Sequence, residues 1–434
     1  MSHSLSSVTI EDVPGILEAG PLEVSKKLKL FLWLLVAMGI AVFVLGINGE
    51  NSRLAWISFH LNLVFWIFLS AAGAGFSAVF SICNAQWARP VERLFQSCVV
   101  FLPIGILLLL VLYFGHEQLF VWATEPVHGK ELWLESKFLF IRDIIGASIL
   151  LFLLCRVIYY SLRADFLAIR GGIVKLDDSR AKRWLDKRFD NYAKFSAGAL
   201  DVRDEIARAM HKRGRYSPVV VICYAVIMSM LAFDLMMSVD PHWYSTLYGA
   251  FLFMTGVYLA FAWISVVIAL AREWHPLYRK KIDRRCLHDV GKLLFGFGIF
   301  WAYLFWSHYL PIWYGNMPEE TAWVIVRLRE QPWHGLAWMV FGSAFIVPFL
   351  LGLSRDVKQM PSLLMATGLI VIVGLWLQQY VLFVPTLFPT DIPIGLRDIA
   401  ISLAFGAAFL LSQLAFLRRV PLVAFGDFYI RKAD

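Results

Sequence analysis

The 434-residue chain has only five cysteines, Cys83, Cys98, Cys155, Cys223 and Cys286, and none stands in a CxxC, CxxCH or ferredoxin-type spacing. That pattern argues against covalently attached haem c, an iron–sulfur cluster or a disulfide framework held by this chain. Charge is scarce as well, at 17% of residues, against roughly 25% in a soluble globular domain. The first 27 residues carry Glu11, Asp12, Glu18 and Glu23 and no short apolar core ahead of a small-residue cleavage site, so no signal peptide is expected. The apolar runs do not alternate as the strands of a membrane barrel do.

What the chain has in quantity is apolar length: 59% of it is hydrophobic. A hydrocarbon core about 30 Å thick takes roughly 20 apolar residues of helix, and lipid offers no partner to backbone polar groups outside helices and closed barrels. Ten stretches qualify: 28–47, 54–82, 94–114, 137–160, 217–239, 244–271, 289–313, 335–353, 362–384 and 399–417. The expected fold is all-α and polytopic, with about ten transmembrane helices. Of the 40 Lys and Arg, all but Arg53, Lys130, Lys137, Arg142, Arg327, Arg329 and Arg397 fall in the tails, the even-numbered loops and the adjoining helix ends. Both termini are therefore predicted cytoplasmic. The net charge of +8 reads as this bias and as contact with anionic lipid, with no nucleic acid as partner.

The organisation follows as a cytoplasmic N-tail 1–27, spans 28–160, a basic cytoplasmic loop 161–216, spans 217–417 and a C-tail 418–434. The loop reads helically through 177–210, with Trp184, Phe189, Tyr192 and Phe195 near one stripe, either as a solvated connector or as a docking surface. Spans 2–5 and 6–9 form two expected four-helix bundles. Their first inner loops read alike, Trp87, Arg89, Pro90 against Trp274, His275, Pro276, which leaves spans 1 and 10 peripheral.

Ionisable residues at membrane depth cost several kcal/mol and are functional candidates by default. Counted at about 1.5 Å per residue from the outer helix ends, His60, Arg142, Asp143, Asp234, His308, Gln378 and Gln379 lie roughly 8–10 Å deep. A polar layer near the periplasmic face is expected from them. The inner halves look poorer, with chiefly Asp289, Lys292, Tyr159, Tyr160 and Tyr224. Arg142 and Asp143 read either as an outward-snorkelling Arg beside a satisfied carboxylate or as an Arg–Asp group facing the interior. Asp234, flanked by Phe233, Leu235 and Met236, is too short to snorkel and is a candidate proton carrier, with a structural interhelical hydrogen bond as the alternative. His60 and His308 share one depth, whereas a dihaem site wants paired histidines at opposite depths; both are read as structural or as proton or substrate contacts, and no metal site is assigned.

Three segments carry a family resemblance. FDLMMSVDPHWYST, residues 233–246, resembles the FDW..SLDPHW.ST motif of the NrfD-like polytopic subunits of alternative complex III, the bacterial quinol-oxidising respiratory complex. WAYLFWSHYLPIWYGNMPEETAW, residues 301–323, is similar to that family's FWAY..FSQ..LIWY.N.PEE, and FGHEQLFVWA with KFLFIRD, 114–123 and 137–143, to its GHELYPWA and FF.IR elements. The chain's length and short N-tail point to the smaller of two paralogous subunits. The resemblance implies two four-helix bundles within ten helices, and an outer polar region containing Arg142, Asp234, Asp240, His242, Glu319 and Glu320, with Trp243, His116 and Glu117 in the same motifs. It implies as partners a second NrfD-like subunit, a periplasmic multihaem cytochrome c and an iron–sulfur protein, which hold the haem and iron–sulfur centres. The chain departs from the family at Leu235, where Trp is usual, at Val239, where Leu is, and at His308, where Gln is. The function expected is that of a membrane subunit of a quinol-oxidising complex with a quinone-interacting or proton-conducting outer site. The alternatives are the anchor of a molybdenum or iron–sulfur reductase and a secondary transporter with helix breaks near Pro103 and Pro348.

Overall fold

A computed structural model describes residues 8–20, 22–171 and 201–429. Among the described residues ten helices are long and apolar enough to cross a bilayer. They are α1 Lys26–Ile47, α2 Ser52–Ile82, α3 Gln86–Tyr113, α4 Ser136–Arg170, α5 Val202–Leu235, α6 Leu247–Trp274, α7 Arg284–Gly315, α8 Trp333–Leu353, α9 Pro361–Phe383 and α10 Leu396–Leu417. The protein is an all-α polytopic membrane protein, and each predicted span falls within one helix or extends it by a few residues. Both tails sit at one end, the tail end: Lys281 binds Asp12 at 2.5 Å, and Arg89 binds Asp427 at 2.5 Å. The opposite, turn end carries the α3–α4 loop, the α5–α6 turn and the short helix Pro318–Leu328.

Helices α2–α5 pack as one bundle and α6–α9 as a second, joined where α6 lies along α2 and α5, while α1 and α10 pair with each other against α2. Burial follows this order: the apolar core of α2 is 94% buried and that of α1 only 11%. Lipid tails are as apolar as leucine, so helices associate through close packing of small residues and through polar links. Gly256 of α6 is one such point, because a Cβ there would stand 3.0 Å from the Phe68 carbonyl oxygen of α2. Gly368 of α9 is another, 2.6 Å from the Ala262 carbonyl oxygen of α6.

The inner helix ends differ from expectation. Helix α3 begins at Gln86 instead of 94, α4 continues to Arg170, and α5 begins at Val202. These extensions bury Val91, Phe166, Leu167, Ile169 and Ile206 against the bundle, which outweighs the charge that suggested loop. Of the expected 161–216 loop, residues 172–200 with Trp184, Phe189, Tyr192 and Phe195 lie outside the described residues.

Candidate functional site

At the turn end of the first bundle, Asp234 closes the last turn of α5 with its side chain 1% exposed. Arg142 of α4 donates to its Oδ2 from Nη2 at 2.6 Å and from Nε at 3.2 Å, and Trp133 donates from Nε1 to its Oδ1 at 3.0 Å. The guanidinium lies 3.8 Å from the Trp133 ring centroid and 4.9 Å from that of Phe138, so two rings and the carboxylate hold the Arg in place. It faces the interior and does not snorkel. The carboxyl of Asp143, one residue further along α4 and fully buried, lies against that of Asp234. These are two acceptors facing each other, and neither Asp143 oxygen has a hydrogen-bond donor among the described residues. One cation therefore serves two buried carboxyl groups.

His60 of α2 is fully buried beside this group. Its Nε2 donates to the Leu235 carbonyl oxygen at 2.8 Å, which leaves Nδ1 as an acceptor with no partner among the described residues. Phe120 and Phe383 enclose the ring at 5.7 and 4.7 Å.

His308 stands elsewhere. It belongs to α7 in the second bundle, in a box of rings made with Trp243, Tyr248, Phe251 and Trp323. Trp243 and Trp323 stack at 4.0 Å, and Arg327 lies 3.8 Å above Trp323 while donating to Thr386 Oγ1 at 2.7 Å. Within the box, His308 Nε2, Trp243 Nε1 and the Tyr248 hydroxyl lack partners among the described residues. The expected single layer is thus two sites, one per bundle. A cleft of about 330 Å³ lined by Trp133, Phe233, Met237, Asp240, Trp243 and Tyr244 touches both, reaching Asp234's indole donor on one side and His308's neighbour on the other.

The remaining motif residues frame these sites without joining them. Asp240 Oδ1 accepts from the His242 backbone N–H at 3.3 Å in the α5–α6 turn, and His242 is exposed. Glu319 and Glu320 occupy the first turn of the Pro318–Leu328 helix, where the helix dipole favours acids. His116 stacks on Tyr113 at 5.0 Å with Nδ1 2.5 Å from the Tyr113 carbonyl oxygen, and Glu117 is exposed. Gln378 accepts from Trp301 Nε1 at 3.2 Å, and Gln379 Oε1 is buried with no partner among the described residues. No three His, Cys, Asp or Glu side chains converge as a metal site among the described residues.

The expectation that the inner half is poor is corrected. The densest ionic network lies there, at the tail end of the same bundle. Arg93 pairs with Asp165, Glu92 with Arg213, and Arg163 with Glu205 at 2.5 Å. Gln96 Nε2 donates to Ser77 at 2.9 Å and to Glu92 at 2.8 Å, and Asp165 Oδ1 accepts the backbone N–H groups of Phe425 and Gly426 at 3.1 and 2.6 Å. That last pair docks the C-tail onto the bundle. Burial, with the Asp165 carboxylate adding to it, pushes the Tyr429 phenol in this tail up to about 12. By contrast, Asp289 and Lys292 form a surface pair at 2.6 Å, with Lys292 56% exposed. The signal that could have revealed the network is the spacing of Glu92, Arg93 and Gln96 on one helical stripe just ahead of an apolar run, matched by Ser161 and Asp165 one helical turn apart.

Geometry and composition define a polytopic helical membrane protein with ionisable groups buried at both ends of one four-helix bundle. Comparison with protein-family models and with curated proteins returns no match.

Proposed function

We propose that this chain is the membrane subunit of a respiratory quinol-oxidising complex, and that its α2–α5 bundle passes protons to the turn-end face, the expected periplasmic side. The observation that carries the reading is the Arg142–Asp143–Asp234 group. Two facing carboxyls with one guanidinium have room for one shared proton: with it the group is neutral and the Asp143 oxygens gain a donor, and without it one negative charge is left buried. Such a group can take up a proton and give it up again. Trp133, 47% exposed, stands between it and the surface cleft, so a proton leaving Asp234 has a short way out.

Oxidising a quinol releases two electrons and two protons. In this reading the haem and iron–sulfur centres belong to partners, among them a multihaem cytochrome c and an iron–sulfur protein, with a second NrfD-like subunit beside this one. Between the two ends of the bundle α2 offers Asn62 and Ser70, each bonded to a backbone carbonyl, at 2.8 and 2.5 Å. Passage along the whole bundle therefore requires water, and the turn-end group is the step the side chains themselves supply. Helix α3 tightens to a 3-10 turn over Cys98–Phe101 just before Pro103, and α8 widens to a π-turn over Gly342–Ile346 just before Pro348, but both stay helical there, which gives no support to the unwound midpoints of a transporter.

The test is purification of the native assembly followed by reconstitution in liposomes. The expected result is co-purification of a multihaem cytochrome and an iron–sulfur protein, with quinol oxidation and proton release that fall together in Asp234→Asn. A molybdopterin protein in their place would favour the anchor reading, and unchanged turnover and proton release in Asp234→Asn would remove this group from the function.

A further inference from the structure

The second bundle holds a feature that the proton reading leaves unused. A cleft of about 700 Å³ opens between α7, α8 and α9, within the roughly 300–1,000 Å³ of small-molecule sites. Its α7 wall is a ladder of rings at one-turn spacing: Trp301, Phe305 and Tyr309 have centroids 6.1 and 6.4 Å apart and planes parallel to within 10°. Phe341 of α8 faces Phe305 at 6.0 Å. Just beyond Phe341, α8 widens into a π-bulge over Gly342–Ile346, held open by the Tyr258 hydroxyl donating to the Ala344 carbonyl oxygen at 2.8 Å. Bulges of this kind interrupt helices at functional positions.

The inner wall carries one polar group. Gln378 is 3% exposed, accepts from Trp301 Nε1 and has its amide nitrogen 3.5 Å from Thr255 Oγ1, so its second N–H remains to be given. Among the described residues, the single charged one lining the cleft is Arg329. Tyr303, Trp306 and Trp338 flank it at more than half exposure on outward faces of the spanning helices.

We propose that this cleft binds the ring of an isoprenoid quinone or quinol, which slides in sideways from the bilayer, stacks along the Trp301–Phe305–Tyr309 ladder and takes a hydrogen bond from Gln378. Parallel ring planes suit a flat conjugated ring, the near absence of charge suits a neutral one, and a lateral mouth leaves the prenyl tail in lipid. An acyl chain would use neither the ladder nor the amide. The choice of quinone rests on the function proposed above; the site is separate from the Asp234 group.

The full-length protein in phosphatidylcholine nanodiscs, irradiated with azido analogues of ubiquinone and menaquinone, provides the test. At least one probe should label peptides within 299–309 or 337–345. Ala302→Trp, which fills the cleft from its α7 wall, should cut labelling about tenfold or more, equivalent to about 1.4 kcal/mol. Gln378→Leu, close in size, should weaken labelling severalfold at a temperature well below its unfolding midpoint, which loss of the Trp301 Nε1 acceptor lowers, and this keeps the test valid if Ala302→Trp fails to fold. Asp234→Asn should label like wild type, so loss of proton release in that variant is scored independently. Label found only elsewhere, or competed as readily by added phosphatidylcholine as by unlabelled quinone, would make the cleft a plain lipid groove and overturn the proposal.

Discussion

Replacing Asp165 by Leu should come close to unfolding the protein. The Arg93–Asp165 pair is 0% and 1% exposed, and breaking a buried pair by removing one partner costs about 3–5 kcal/mol, because the other charge stays behind. Here the stranded guanidinium keeps only Gln96 and Ser161 as neutral acceptors. The same carboxylate accepts the Phe425 and Gly426 N–H groups, and each buried donor left unpaired adds about 1–3 kcal/mol. The sum is on the order of 5–11 kcal/mol, comparable with the whole stability of a typical domain. Reversible unfolding in mixed detergent micelles, read by tryptophan fluorescence, gives the single and double variants on one scale. Arg93→Met/Asp165→Leu should recover about 2 kcal/mol or more over Asp165→Leu, since it removes both charges together and leaves unpaired only neutral groups, the C-tail donors and Gln96 Oε1. An Asp165→Leu protein within about 1 kcal/mol of wild type would refute the claim that this network holds the tail end of the bundle.

Gly256→Leu should destabilise by about 1–3 kcal/mol or more by forcing α6 away from the Phe68 carbonyl of α2; the same unfolding assay checks it, and a neutral result would mean the helices do not approach so closely. Trp133→Phe removes one donor to Asp234 and should cost about 1.5–3 kcal/mol in stability while slowing proton release; proteoliposome pH-dye traces against wild type decide. His275, in the loop after α6, accepts the Leu277 N–H at Nδ1 and bonds the Ala19 backbone. Burial lowers its pKa below the ordinary 6.5, with the Ala19 contact partly opposing. The folded state therefore favours the neutral ring, and this contribution, present above pH 6.5, is lost as pH falls through the lowered value. Chymotrypsin cutting within residues 8–20 should rise as pH drops from 7.5 to 5, after correction for enzyme activity; a flat profile would contradict that role.

The ten spans are legible in the sequence because length and apolarity alone decide them. Depth is legible too, which is why Arg142, Asp143 and Asp234 stand out from the apolar runs around them. What depth does not carry is direction around the helix axis, so His308 reads as a neighbour of Asp234 although it faces another bundle. Trp133, in the α3–α4 loop, gives no signal that its indole reaches Asp234. The largest misreading concerns Arg89, Glu92, Arg93, Arg163, Asp165, Glu205 and Arg213. Taken singly each looks bound for water and marks a helix end, whereas in pairs they cancel and stay buried, so the helices run on past them. His116 illustrates the reverse: a histidine in a motif whose contacts, a carbonyl and a stacked tyrosine, are structural.

The most direct measurement is the infrared difference spectrum of the purified protein near neutral pH, in the carboxylic-acid C=O region, in water and in D₂O. A proton shared between Asp143 and Asp234 predicts a protonated-carboxyl band that shifts in D₂O and is lost or displaced in both Asp143→Asn and Asp234→Asn. A spectrum without such a band, or a band left in place by both substitutions, would contradict the account.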